Sequence, residues 1–207
     1  MKDKHLMYST KKDLRISLVN TKYYADKLRD VLHREIGDMS MIYIVENTPC
    51  HPGTMAALDK ETYGATAKEI HEMALKNSAK INPPHYINMD ELLNVGERFR
   101  EAPMLSVDPA AAIFYPGEMD RIAERLGGGF YIFPSSIYEM IVLAEGAEGG
   151  MTEGPGGIEN TVHFLNDLAI QNGTMQEAER LSEEVYHYDP VMKRFERAAE
   201  WKERMQP

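Results

Sequence analysis

The sequence predicts an α+β fold, with helices packed on a mixed, mostly antiparallel sheet and an amphipathic helix at the C-terminus. Two observations carry this prediction. Strand-like runs come in pairs separated by turn residues, which is typical of antiparallel hairpins. Single helical segments stand between these pairs, whereas a doubly wound parallel sheet would place a helix after every strand. The length of 207 residues suits one domain with short additions.

We expect three parts along the chain. Residues 1–13 form a basic extension, residues 14–190 a single α+β domain, and residues 191–207 a C-terminal helix. Within the domain, the stretch 144–157 reads AEGAEGGMTEGPGG and is predicted to be a flexible, acidic, glycine-rich loop.

The first half of the chain begins with a strand, because apolar and polar residues alternate over positions 14–18. Asn20 is a suitable cap for a helix that reaches Val31. A strand over Ser40–Glu46 then pairs with Thr54–Leu58 across a long turn.

A second helix is marked by a capping-box pattern, in which Thr66 and Glu69 satisfy each other's free amides. The apolar spacing continues to Ile81, and the proline pair that follows ends the helix. A short helix is expected within Met89–Phe99.

The second half is predicted to alternate between short strands and helices. Its strands are Met104–Val107, Ala111–Tyr115, the hairpin Phe130–Phe133 with Ile137–Leu143, and Val185–Tyr188. Its helices follow Pro116 as far as Gly127, surround Val162–Ala169, and span Gln176–Glu184. Val191, Phe195, Ala198 and Met205 recur at helical spacing and predict the terminal helix.

Charge is distributed unevenly. The net charge is −10, and residues 142–190 hold ten acidic residues against Arg180 alone. Binding to nucleic acid needs clustered cations, so direct contact with DNA or RNA through this region is disfavoured. The acids form either a solvated face or a docking surface for a basic protein partner. The candidate partner-binding residues are Glu148, Glu153, Glu159, Asp167, Glu183 and Glu184.

Motifs for catalysis are weak. His71 begins a zincin-like pattern, but position 75 is Leu where a second metal-binding His is needed. Cys50 and His51 are adjacent in a turn, where side chains rarely face each other. The glycines 127–129 follow a helix, whereas a phosphate loop precedes one. We therefore predict no catalytic residues, no metal ligands and no cofactor.

An alternative function is left open by the residues. Tyr115, Ser135, Ser136 and Glu139 occupy the two most distinctive stretches of the chain and could line a small-molecule site. Hydroxyls, a phenol and a carboxylate could do acid–base chemistry there if burial shifted a pKa. This alternative is a ligand-binding domain or an enzyme.

The sequence also bears on the cellular location and the oligomeric state of the protein. No stretch approaches about 18 consecutive apolar residues, and no apolar run follows the N-terminus, so we expect a cytoplasmic protein without membrane contact. The single Cys excludes a disulfide scaffold. The oligomeric state stays open, and the stripe of Phe195 and Trp201 could pack on its own domain or make a homodimer.

Several segments, taken in order, resemble an uncharacterised bacterial family known as domain of unknown function 5688, which is common in gut Firmicutes. They are Leu18–Asn20, His33–Glu35, Ala112–Gly117, Phe130–Glu139 and Val185–Asp189. The resemblance covers residues 14–190, and it implies a member shortened at its N-terminus. It supplies no catalytic residues, because the family has no established activity.

From these observations we expect a non-catalytic protein-interaction or regulatory module with an acidic docking surface. A specific form of this hypothesis is an inhibitor that mimics nucleic acid and occupies the cationic site of a nucleic-acid-binding or defence protein.

Overall fold

The computed structural model describes residues 13–48, 51–57, 65–88, 104–146 and 155–205. Within these ranges, the chain forms two sheets whose strand pairs are all antiparallel, together with five α-helices. This confirms the predicted α+β fold. The helix expected within Met89–Phe99 lies outside the described residues, as does most of the basic extension.

The first sheet has the strand order β1 (Leu14–Asn20), β3 (Met39–Thr48), β2 (His33–Ile36). The far end of β3 also pairs with β4 (His51–Ala57), which confirms the hairpin predicted for this region. One short helix, α1 (Ala25–Leu28), connects β1 to β2. Among the described strands, β2 pairs with β3 alone, so its other side is an edge of the sheet as described.

The second sheet contains six strands and is assembled mainly from the second half of the chain. Its central hairpin joins β7 (Phe130–Phe133) to β8 (Met140–Ala144), as the sequence predicts. In spatial order the strands are β10 (Arg194–Arg197), β9 (Tyr186–Asp189), β7, β8, β6 (Met104–Asp108) and β5 (His85–Asn88). Strand β10 forms one edge of this sheet.

Capping residues set the start of one longer helix and the end of another. Helix α2 (Ala67–Ile81) starts with the predicted capping box. In it the Glu69 carboxylate accepts from the Thr66 amide at 2.8 Å. Helix α3 (Glu118–Leu126) ends at Gly127, whose φ of 83° suits glycine. The remaining helices are α4 (Pro155–Gln171) and α5 (Ala198–Met205).

The six-stranded sheet is covered on both faces, which explains why β7 is buried at every residue. Phe130 and Ile132 face the larger core, shared with β1, β3, α2 and α3. Tyr131 and Phe133 face a smaller core that includes Val162 of α4 and residues of α5. Alternate residues of a strand point to opposite faces, so one strand supplies both cores.

Two elements predicted for the first two-thirds of the chain are wrong. Ala111–Tyr115 is not a strand, because Ala110–Phe114 forms a buried 3₁₀-helix. The helix after Asn20 is only four residues long, and the chain turns into β2 before the predicted end at Val31. The hairpin signal for β2 is the Gly37-Asp38 pair, which supplies a tight turn into β3.

Other corrections concern the last third of the chain. The terminal helix begins at Ala198 and not at residue 191, because residues 194–197 pair with β9 as a strand. Only a short 3₁₀-turn, Glu177–Glu179, occupies the helix predicted over Gln176–Glu184. The loop predicted for residues 144–157 ends earlier, since α4 begins at Pro155.

A close contact between Gly37 and Tyr186 joins the two sheets. Gly37 lies in the β2–β3 turn with a φ of 62°, and a Cβ atom built on it would lie 2.0 Å from the Tyr186 hydroxyl oxygen. The Tyr186 hydroxyl donates to Oδ1 of Asp38 at 2.7 Å and accepts from the Asp38 amide at 3.1 Å. Ser182 donates to the same carboxylate oxygen at 2.6 Å. We call this group the sheet junction.

Replacing Gly37 with alanine should destabilise the protein by about 3 kcal/mol, because the new methyl group meets Tyr186 and the backbone has a positive φ. Chemical denaturation monitored by circular dichroism measures this loss. Gly128→Ala is the matched control, since no heavy atom lies within 4 Å of its added Cβ. Equal stability of the two variants would contradict the tight contact.

Candidate docking surface

Three acidic residues in the second half of the chain surround one arginine, Arg180, at the protein surface. The guanidinium of Arg180 forms an ion pair with Asp167 of α4. It also lies 3.8 Å from the Glu177 carboxylate and 3.6 Å from that of Glu183. The Arg180 side chain is 14% exposed, whereas the three acids are more than half exposed. Because one positive charge meets three negative charges, the group keeps a net charge of −2.

A fourth acid extends this group. The Glu179 carboxylate accepts hydrogen bonds from the Tyr138 hydroxyl and from the Gln176 amide. These bonds stabilise the charged form and lower the pKa of Glu179. Glu179 is therefore ionised at neutral pH and adds to the negative charge. We call Asp167, Glu177, Glu179 and Glu183, with Arg180 between them, the acidic surface.

Large apolar side chains stand next to the acidic surface. Phe164 is 64% exposed and Leu168 is 45% exposed, and their spacing of four residues places them on one face of α4. Asp167 lies beside Leu168 on the same helix and connects this apolar pair to the acids. Tyr138, which binds Glu179, is also more than half exposed. Exposed apolar groups thus lie next to members of the acidic surface.

A cleft of about 390 Å³ connects the acidic surface to the sheet junction. Asp38 lines it together with Glu177, Arg180 and Glu183. Lys22 adds a positive charge at the same cleft. The junction carboxylate of Asp38 therefore faces the same opening as two members of the acidic surface.

The predicted partner-binding residues are only partly brought together. Asp167 and Glu183 meet at Arg180. Glu184 lies apart from them, because its carboxylate is 4.0 Å from Arg197. Glu159 belongs to α4, of which only the backbone is described at that position. Glu148 and Glu153 lie outside the described residues.

The residues proposed for a small-molecule site have structural contacts. Ser135 donates to Oδ1 of Asn166 in α4 at 3.0 Å. Ser136 accepts from the amides of Tyr138 and Glu139 and caps the turn before β8. The Glu139 carboxylate accepts from Ser106 at 2.5 Å.

Tyr115 lies in the larger core, away from those contacts. Its hydroxyl is hydrogen-bonded to Ser78 of α2, and burial raises its pKa to about 12. Ser78 itself binds the Ile16 amide at 2.9 Å and the Ala74 carbonyl at 2.8 Å. Tyr115 thus connects the end of the 3₁₀-helix to α2. Ser135 and Ser136 instead bind Asn166 and the amides of the turn before β8.

Three members of the acidic surface, Glu177, Glu179 and Arg180, are not among the partner-binding residues predicted from the sequence. The neighbouring Phe164 and Leu168 lie within the helix predicted around Val162–Ala169, but their exposure was not predicted. Arg180 was counted only as the lone cation among ten acids. The spacing of Glu177 and Glu183, each three residues from Arg180, was the signal that one arginine could hold both carboxylates.

A histidine of β9 is buried on the face of the second sheet that α5 covers. His187 is 1% exposed and stacks on Trp201 at a centroid distance of 4.1 Å. Its Nε2 lies 3.3 Å from the Glu145 carboxylate. Burial lowers the pKa of His187 despite that acid, so the ring is neutral at pH 7 and donates a hydrogen bond from Nε2.

No group of three or more His, Cys, Asp or Glu residues in the described ranges is arranged to hold a metal ion. Among the helices of these ranges, none has the length and apolar character needed to cross a bilayer.

Comparison with known proteins identifies a family. The model of a family of unknown function (DUF5688) matches residues 1–190, and the chain belongs to this family. The match includes the first thirteen residues, which precede the segments that carry the resemblance. Neither a curated protein nor a solved structure matches the chain.

Arg180→Gln should lower the free energy of unfolding by about 1–2 kcal/mol at low salt, because three acids then repel each other without a cation between them. Added salt screens this repulsion, so the deficit should shrink at 0.5 M NaCl. Urea denaturation at both salt concentrations measures the effect. Lys68→Gln, which removes one exposed pair with Glu72, is the control and should change little. A deficit independent of salt would contradict the electrostatic role.

Stability should fall as the pH drops from 7.5 to 5. The folded-state pKa of His187 is lowered, so the unfolded chain binds a proton more readily below about pH 6.5, and acid favours unfolding. His187→Phe keeps an aromatic ring against Trp201 and removes the titration, so its stability should decline less over this range. Urea denaturation at each pH, followed by Trp201 fluorescence, measures both curves. Parallel curves for the two proteins would exclude this role of His187.

Proposed function

We propose that this member of DUF5688 is a non-catalytic protein-interaction module that binds a basic partner protein through the acidic surface and the neighbouring apolar side chains of α4. The observation that carries the proposal is the convergence of Asp167, Glu177 and Glu183 on one partly buried arginine. Four clustered acids with a single cation retain negative charge at one place, where a cationic partner surface could approach it.

The exposed side chains of Phe164 and Leu168 favour a role of this surface in protein binding over a role in solubility alone. A solvated acidic face has no need for large exposed apolar groups, whereas the centre of a protein interface is enriched in aromatic residues and depleted of charge. Phe164 and Leu168 would form such a centre, and the acidic surface would form its polar rim. In this arrangement the acids accelerate encounter and select the partner, and the apolar pair supplies affinity.

The partner we propose is a protein whose cationic surface otherwise binds nucleic acid phosphates. A protein that mimics nucleic acid presents carboxylates in place of phosphates, and the acidic surface provides four of them. Regulation would then consist of occupying the partner's site and would require no bond to be made or broken.

Affinity capture at two salt concentrations tests the proposal. Tagged protein is incubated with a nuclease-treated bacterial lysate at about 50 and 500 mM NaCl, because charge pairing weakens as the Debye length shortens. We expect specific proteins to be retained at low salt and lost at high salt. Added double-stranded DNA should displace them if their cationic surface binds nucleic acid.

Matched variants locate the binding surface. The triple variant Asp167→Asn, Glu177→Gln, Glu183→Gln removes three charges from the acidic surface and should lose the retained proteins. Glu72→Gln, Glu124→Gln, Glu203→Gln removes three charges elsewhere and should keep them. Phe164→Ser should also lose them without loss of thermal stability, because Phe164 is 64% exposed. Equal capture by all three variants would reject the acidic surface as the binding site.

A further inference from the structure

Helix α5 is held on the second sheet by few contacts. Among its residues Ala198 is buried and Trp201 is half-buried, whereas the rest are exposed. The Ala198 amide donates to the Val185 carbonyl at 2.8 Å. A helix that buries so little apolar surface opens at a lower free energy than the strands beneath it. The position of α5 therefore depends on individual side-chain anchors.

Two of these anchors lie side by side on β9 and β10. His187 and Glu196 are register partners, so their side chains lie on the same face of the sheet. The imidazole of His187 stacks on the indole of Trp201, with 4.1 Å between the ring centroids and 21° between the ring planes. The Glu196 carboxylate accepts a hydrogen bond from Arg204 at 2.5 Å. We call His187, Glu196, Trp201 and Arg204 the α5 latch.

The imidazole of the α5 latch has one nitrogen that is hydrogen-bonded and one that is not. Nε2 of His187 lies 3.3 Å from the Glu145 carboxylate, whereas Nδ1 is buried without a hydrogen-bond partner among the described residues. The neutral ring tolerates this arrangement, because an imidazole that carries its hydrogen on Nε2 has only a lone pair on Nδ1. A protonated ring carries hydrogen on both nitrogens, and a buried, charged N–H group without an acceptor is costly.

Charged groups of both signs surround the His187 ring. The acidic ones are Glu145 after β8, Asp189 of β9 and Glu196 of β10. Arg194 of β10 and Arg204 of α5 both pair with Glu196, at 2.9 and 2.5 Å. The acids favour a protonated ring, and the two arginines offset the charge of Glu196.

Burial outweighs these acids. His187 is 1% exposed and lies between the edge-on ring of Tyr131, at 5.3 Å, and the stacked ring of Trp201. Desolvation by this packing lowers the pKa of His187. Tyr131 belongs to the central strand β7, whereas Trp201 belongs to the weakly held helix. Movement of α5 is therefore the least costly way to bring water to a protonated ring.

We propose that the α5 latch is a pH-sensitive switch, in which protonation of His187 releases α5 while the second sheet stays folded. Release solvates both N–H groups of the imidazolium, because Trp201 leaves the ring. It also uncovers Tyr131 and the carboxylate of Glu196, so acid turns a covered face of the sheet into an accessible one. The switch is separate from the acidic surface and does not rest on the proposed function.

Proton linkage sets the size of the effect. In the released state His187 is solvated, and its pKa is then about 6.5. The released state is stabilised as the pH falls through this value, since the closed state binds a proton less readily. The opening equilibrium of α5 should therefore increase about tenfold between pH 7.5 and 5.5.

Hydrogen exchange of the full chain at these two pH values tests the switch, with protection factors correcting for the intrinsic effect of pH on exchange. Amides of α5 should be at least about tenfold less protected than those of β7 at both pH values, because α5 opens locally. Their protection should fall about tenfold at pH 5.5. Equal protection of α5 and β7, or protection of α5 that does not change with pH, would overturn the proposal.

A histidine variant and its control identify the titrating group. His187→Phe keeps an aromatic ring against Trp201 and cannot be protonated, so the protection of α5 should no longer depend on pH. His85→Gln removes an exposed histidine of β5 and should retain the fall in protection. The same fall in His187→Phe as in His85→Gln would reject His187 as the switch.

The second anchor is tested without changing the histidine. Arg204→Gln should lower the protection of α5 severalfold at both pH values and leave its pH dependence in place, because the bond to Glu196 is weakened. Lys202→Gln changes an exposed cation of the same helix and should leave the protection unaltered. Equal protection in these two variants would show that Arg204 does not hold α5 and would overturn the latch.

Discussion

The arrangement of the two sheets depends on one contact, in which the Tyr186 ring lies directly against the backbone of Gly37. No side chain other than hydrogen fits at residue 37. The two-way hydrogen bonding between Tyr186 and Asp38 then fixes the distance between the β2–β3 turn and β9. Burial raises the pKa of Tyr186 above its usual value, so the hydroxyl keeps its proton and continues to donate. A hydrogen bond from a neutral phenol to a charged carboxylate is stronger than one between two neutral groups.

Two clefts lie beside this contact. Gly37 and Tyr186 line the larger cleft, between β2 and β10. Asp38, the next residue, lines the smaller cleft beside the acidic surface. A change at Asp38 or Tyr186 would therefore alter the walls of both clefts at once.

The sequence predicted the elements whose signal is local. Helix α2 is predicted correctly because its capping box and the prolines that end it can be recognised from neighbouring residues. The β7–β8 hairpin is predicted correctly because both of its strands are strongly apolar. The misassigned elements depend on distant partners. Strand β10 has the sequence Arg-Phe-Glu-Arg, whose Phe195 fits a helical stripe equally well, and only pairing with β9 decides in favour of a strand. The alanines at 110–112 form a 3₁₀-helix that the surrounding fold buries. Strand propensity, which is a local property, does not predict this burial.

The same reasoning explains the candidate sites. Charge counting located the acidic region, but it could not show which acids share Arg180, because Asp167 comes from a different element than Glu177 and Glu183.

Strands β2 and β10 are both short. Each presents only four residues, several of them charged, so neither edge offers the long, flat, apolar template on which chains stack into fibrils. The two strand edges that the described residues leave unpaired are therefore poor templates for aggregation.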